Sequence, residues 1–388
     1  MTPRWLPFVL LLAAVPAQAG RSPRAPERLL WPAPPETARI EYVREVRGPR
    51  DIGASESGLK KTLMALAGAK PSESVNLSRP TDTYADADGR IWVSDAAAGR
   101  VYVFDTAKHT VTPWVGKGAA RIGRPMGLGG DGAGHVVVCD PVNRRVLVFT
   151  LDGVLQTTLG GSQLLINPVD ATMDAAGRVY VADSYLHQIV VFGPDGQIVK
   201  RIGKTVADAA GKAAEAPPVD DGNVWNQRSA TSKDARENRG GGPGEFLYPL
   251  SVAWNESLGL LAVVDGLNAR VQLFDREFGY VRTIGRMGDT PGSFARPKGA
   301  AWDSGGHLYV VDASFNNVQI FDAEGRLLLA FGGQGKGPGE LWLPLGLCID
   351  PHDRVIIADR YNSRLQLFQY LGARGTGSGE PAVPGAGR

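Results

Sequence analysis

Leu308-Tyr309-Val310-Val311-Asp312 is a short apolar run closed by an aspartate, and closely similar segments recur five more times. They read Ile91-Trp92-Val93-Ser94-Asp95, Val136-Val137-Val138-Cys139-Asp140, Val179-Tyr180-Val181-Ala182-Asp183, Leu261-Ala262-Val263-Val264-Asp265 and Val355-Ile356-Ile357-Ala358-Asp359. The aspartates are 45, 43, 82, 47 and 47 residues apart. A period of roughly 40–50 residues is that of a propeller blade. The one long interval holds no second copy, so it contains an insertion.

Around each aspartate the same elements return. Upstream is a proline and a strand of small residues, as in Pro297-Lys298-Gly299-Ala300-Ala301-Trp302-Asp303. A turn rich in Asp and Gly precedes the apolar run, for example Asp88-Gly89, and such residues supply turn geometry at little steric cost. Downstream come a short loop and a third strand, as in Arg270-Val271-Gln272-Leu273-Phe274. A fourth strand runs to glycine, as in Tyr280-Val281-Arg282-Thr283-Ile284-Gly285. Four antiparallel strands per repeat make a blade, and radial repetition leaves only short, protected edges. The expected fold is all-β, a six-bladed β-propeller.

This pattern resembles the NHL repeat, over about 290 residues from Arg79 to Leu371. The resemblance implies the six-bladed architecture and no single function, because function lives in the site. Some NHL-like lyases acting on peptidyl-hydroxyglycine hold zinc with histidines just after the inner-strand proline. Here those positions are Thr81, Met126, Val169, Leu250, Lys298 and Leu345, with no histidine among them. The resemblance therefore carries no zinc site across, and binding is favoured over catalysis.

The sixth repeat stops after its third strand, Arg364-Leu365-Gln366-Leu367-Phe368. Tyr42-Val43-Arg44-Glu45-Val46 matches the fourth strand of blade four, so residues 39–47 are expected to close the ring. An open ring would expose unpaired edges. The propeller thus spans 39–371, with a stiff Pro-rich lead-in at 20–38 and a Gly/Pro/Ser-rich flexible tail at 372–388. Residues 1–19 read as a signal peptide: Arg4, an apolar run from Leu6 to Val15, then Ala17-Gln18-Ala19 as the cleavage signal. The expected location is periplasmic or secreted. No later apolar run is long enough for a membrane span.

Two insertions fall in fourth-to-first connections, on the face that also carries the loops after the repeat aspartates. Residues 51–78 include Leu59, Leu63 and Leu66 at helical spacing, with Ser57 as a cap. Residues 204–242 are polar, with one aromatic, Trp225. The junctions before blades one and four oppose each other, so the insertions flank the channel mouth. Long loops on a rigid scaffold commonly carry binding. The candidate partner-binding residues are Tyr185, His187, Phe315, Arg360, Tyr361 and Trp225, because loop aromatics are typical interface anchors. The expected partner is a protein or peptide.

Other chemistry is sparse. Asp82 and Asp170, early on inner strands, are the only candidates for a channel cation. The five histidines (109, 135, 187, 307, 352) fall in outer turns or loops. Gly333-Gln334-Gly335-Lys336-Gly337 precedes a strand and not a helix, so its glycines read as turn residues and not as a phosphate loop. No cofactor motif stands. The formal charge of +2 gives no field for nucleic acid. Cys139 and Cys348 read as buried packing residues. The repeat arginines Arg100, Arg145, Arg270 and Arg364 read as blade-to-blade hydrogen bonds, and the repeat aspartates as turn acceptors.

Overall fold

Each apolar run is a strand buried on both faces, which is why it reads as continuous rather than alternating. The computed structural model describes residues 28–53, 76–114, 116, 121–204 and 239–372. The expected signal peptide, the helix over 59–67, most of the second insertion with Trp225, and residues 373–388 lie outside the described residues.

Six antiparallel sheets form the ring, five of four strands and one of five. Blade 4 shows the plan: Pro249–Asn255, Leu260–Asp265, Arg270–Phe274 and Tyr280–Ile284, in order from the channel outward. Apolar cores sit between neighbouring blades. One joins Ala262, Val264 and Val271 of blade 4 to Val310 and Phe321 of blade 5, and another joins Ile91 and Val93 of blade 1 to Ile356 and Leu365 of blade 6. Cys139 and Cys348 are buried, unbridged members of two such cores.

The N-terminal segment closes the ring. Ile40–Val46 pairs antiparallel with Arg364–Tyr370. The match reaches the irregularity: Tyr42 faces Phe368 and Arg44 faces Leu367, as Tyr280 faces Phe274 and Arg282 faces Leu273 in blade 4. Each fourth strand carries one extra residue there, Val43 or Val281, the signature of a β-bulge. The lead-in contributes more than stiffness. Leu30–Trp31 pairs with Glu41 and Ile40 as a fifth strand, and the Trp31 ring packs 5.8 Å from that of Phe368.

The repeat aspartates bind two connections at once. Asp312 accepts from the backbone N–H of Ala295 and Arg296, ahead of the first strand, and of Ser314 and Phe315, in the loop after it. Asp183 does the same with Ile166, Asn167, Tyr185 and Leu186. In every copy the fourth residue after the aspartate is left-handed, yet only Gly99 is a glycine; the others are Arg144, His187, Ala269, Asn316 and Ser363. The aspartate's grip on the loop offsets the cost of that backbone region. The repeat arginines pair first with their own blade's aspartate, in place of the expected neighbouring blade: Arg145 with Asp140 at 3.2 Å, Arg270 with Asp265 at 2.9 Å and Arg364 with Asp359 at 2.8 Å. Arg270 and Arg364 also reach carbonyls of the connection entering their blade.

Candidate functional site

The six first strands begin at the face that carries the loops after the repeat aspartates, since Pro80 faces Asp95, Pro168 faces Asp183, Pro249 faces Asp265 and Pro297 faces Asp312. Register slips just after these prolines in all four pairs. A bulge re-aims side chains. The two residues that follow each blade's leading proline line one cavity of about 170 Å³ at the channel mouth: Thr81 and Asp82, Met126 and Gly127, Val169 and Asp170, Leu250 and Ser251, Lys298 and Gly299, Leu345 and Gly346. All six blades contribute, and Arg296, Arg360 and Tyr361 complete the rim.

Asp82 and Asp170 meet in this wall and hydrogen-bond to each other. They come from blades 1 and 3, with blade 2 between them. Gly127 permits the approach: a Cβ there would lie 2.4 Å from the Asp170 Cα. Two carboxyls in contact cannot both ionise without large repulsion. Burial pushes both upward, Asp82 well above the usual carboxylate range and Asp170 to about 7. Asp82 is the protonated member. It donates to Asp170, which also accepts from the N–H of Val252 at 3.0 Å, the N–H of Ala171 at 2.8 Å and the Ser251 hydroxyl.

The same contacts staple the ring. Asp82 accepts from Leu128 N–H of blade 2 at 2.8 Å, and Asp170 accepts from Val252 of blade 4. Ser251 accepts from Ala300 N–H of blade 5 at 3.2 Å. The sequence leaves this pair as the candidate for a cation at the mouth, with no metal expected. Its donor set does not fit one, because the oxygens face backbone N–H groups and a shared proton, under a basic rim.

The opposite wall is cationic. Lys298 is 8% exposed, and its ammonium is lowered to about 7 by burial and then by the charges of Arg296 and Arg360. Arg360, also buried, is lowered by burial and by Arg79 and Arg124. The arginines at 79, 124 and 296 each precede a repeat proline, so the turn that starts each blade delivers them to the mouth.

The sequence candidates separate by depth. Tyr361 is 50% exposed, with the Arg79 and Arg360 guanidiniums each 6.0 Å from its ring centroid. Trp342, not singled out from sequence, lies 6.1 Å from it. Phe315 is half-buried. Tyr185 is 2% exposed and packs on Ile166 and Leu186, which leaves no face for a partner. His187 is wholly buried: its Nδ1 accepts from Tyr248 N–H at 3.0 Å, and its ring meets Tyr248 edge-on. Burial and the Arg239 charge lower it to about 4, so it is neutral. His135 and His307 hold turn aspartates Asp131 and Asp303 on the far face, the place Arg90 and Arg178 take in other blades. The Gly333–Gly337 turn is capped by the Glu340 carboxylate at 2.8 Å from Gly337 N, a geometry suited to a turn and not to a phosphate.

Lys298 stands just after the repeat proline of blade 5, the register at which the family resemblance points to histidine and gives no signal for a lysine. The arginines at 79, 124 and 296 carry a signal in the sequence, since all three occupy the register just before a repeat proline. The Asp82–Asp170 contact had no local signal.

These features define a six-bladed antiparallel propeller with a polarised cavity at one channel mouth. The chain is a six-bladed propeller that carries NHL repeats: the NHL repeat model matches residues 165–192 and 341–368, within blades 3 and 6. No curated protein sequence matches it. Among solved structures it is similar to a gluconolactonase from Xanthomonas campestris, at 14% identity and TM-score 0.54, covering 85% of this chain and 98% of that one. It is also similar to an auxiliary nutrient binding protein from Bacteroides thetaiotaomicron, at 11% identity and TM-score 0.52, covering 76% and 69%. A structural genomics protein of unknown function from the same organism gives 14%, 0.53, 77% and 70%. At these identities the likeness concerns fold alone.

Proposed function

We propose that this chain is a binding or scaffold module of the bacterial envelope, exported by its N-terminal segment, whose ligand is a protein or peptide held on the face around the channel mouth. The observation that carries the reading is the convergence of all six blades on one cavity whose rim holds an exposed aromatic between two guanidiniums. Aromatic and arginine anchors dominate binding energy at interfaces. The connections that hold the two insertions in the sequence leave from this face, at Gly53 and Lys204. Tyr361→Ala is expected to weaken partner capture about tenfold or more, the range of an interface hot spot. Leu258→Asp, exposed in a turn of the opposite face, is expected to leave capture unchanged. Equal loss from both substitutions would contradict the reading.

A second reading, a lyase or hydrolase, has one observation in its favour. A carboxyl pair sharing a proton, one member titrating near neutrality, is a unit able to move protons. It needs no metal at the pair. Under that reading Asp170→Asn abolishes a turnover that the binding reading does not contain.

A further inference from the structure

The cavity itself has a chemical preference, beyond the partner face. Arg296, Lys298 and Arg360 enter from blades 5 and 6, so the positive charge lies on one side. Arg296 and Arg360 repel Lys298, and Arg79 and Arg124, outside the cavity lining, repel Arg360. Asp312 offsets part of this charge at Lys298 and Asp95 part of it at Arg360, while the carboxyl pair across the channel shares a proton and adds little. Between the two, Met126, Val169, Leu250 and Leu345 form an apolar wall. We propose that this cavity is a binding site for a carboxylate borne on a short apolar body.

The carboxylate sits between Lys298 and the Arg360 guanidinium, where it relieves the repulsion and meets a planar fork of donors matched to its two oxygens. The apolar body lies against the hydrophobic wall. Size agrees: the cavity measures about 170 Å³, and a cavity of about 150 Å³ accommodates benzene. The carboxylate has two possible sources, a small free acid or the C-terminus of a peptide entering past Tyr361.

Calorimetric titration of the full chain tests this with four probes: hexanoate, hexanamide, and an Ala-Ala-Leu tripeptide with a free or an amidated C-terminus. The expected result is binding by at least one acid and at least tenfold weaker binding by its amide. Binding by the tripeptide acid alone assigns the source to a peptide terminus, and binding by hexanoate assigns it to a small acid. Lys298→Met is expected to weaken the acid about tenfold or more, the range for loss of one charge-assisted hydrogen bond. Methionine occupies the same register in blade 2, at Met126, so the repeat tolerates it. Arg296→Gln, at an exposed position, is a second variant and is expected to weaken the acid several-fold. The proposal is overturned if acid and amide bind alike, if no acid binds, if inorganic phosphate binds more tightly than either acid, or if Lys298→Met leaves acid binding unchanged in a protein that melts as the parent does.

Discussion

Asp170 ties the residue scale to measurable stability. Unfolded, its carboxyl ionises near the ordinary value of about 3.9. Folded, burial raises it to about 7. Between these values the native state keeps a proton that the unfolded chain has lost. The stability this group contributes is therefore full below pH 4 and is lost as pH rises through 7. Asp170→Asn removes the titration, at the fixed cost of replacing one of the two accepting oxygens, which face Ala171 and Val252 N–H, by an NH2 group. The difference in unfolding free energy between parent and variant should change by up to about 1.4 kcal/mol per pH unit between pH 4 and 7, measured in urea. A constant difference would contradict the assignment. Asp82, already protonated, should tolerate asparagine, which can still donate to Asp170. Asp82→Ala leaves Leu128 N–H without its acceptor and should cost about 1–3 kcal/mol. Little of this was legible beforehand. The two residues are far apart in the chain, and their contact depends on Gly127 of the intervening blade having no side chain.

At the scale of elements, strand type and order were legible because each apolar run is buried on both faces and each turn carries its own aspartate or glycine. The closing strand was legible for the same reason. Ile40–Val46 must satisfy the bulged register that Tyr280–Ile284 satisfies, so the two segments share Tyr-Val-Arg. A chain starting at Asp51 lacks that strand and the buried Ile40 and Val46. Two such side chains are worth about 3–6 kcal/mol together, so the denaturation midpoint should fall clearly. Arg364 makes a sharper test. Wholly buried, it pairs with Asp359 of its own blade and with Glu45 of the closing strand. Removing one member of a buried pair costs about 3–5 kcal/mol, so Arg364→Ala should destabilise more than Arg145→Ala, whose arginine is less buried. Illegible at this scale was the Leu30–Trp31 strand, two residues too short to show a period.

At the scale of the whole molecule, cores between successive blades make the ring a rigid frame, and its symmetry is broken at one mouth by sequence differences around equivalent prolines. Repetition made the fold readable. The departures from repetition carry the site, and they are readable only when the copies are laid over one another. A rigid frame with an anchored aromatic rim and a charged cavity is organised to hold a ligand. The most direct measurement places a photoreactive phenylalanine analogue at Tyr361 and, separately, at Leu258 on the opposite face, and compares crosslinked partner after illumination of cells. The account predicts a discrete adduct from position 361 and none from 258. Equal adducts from both positions, or an adduct from 258 alone, would contradict it.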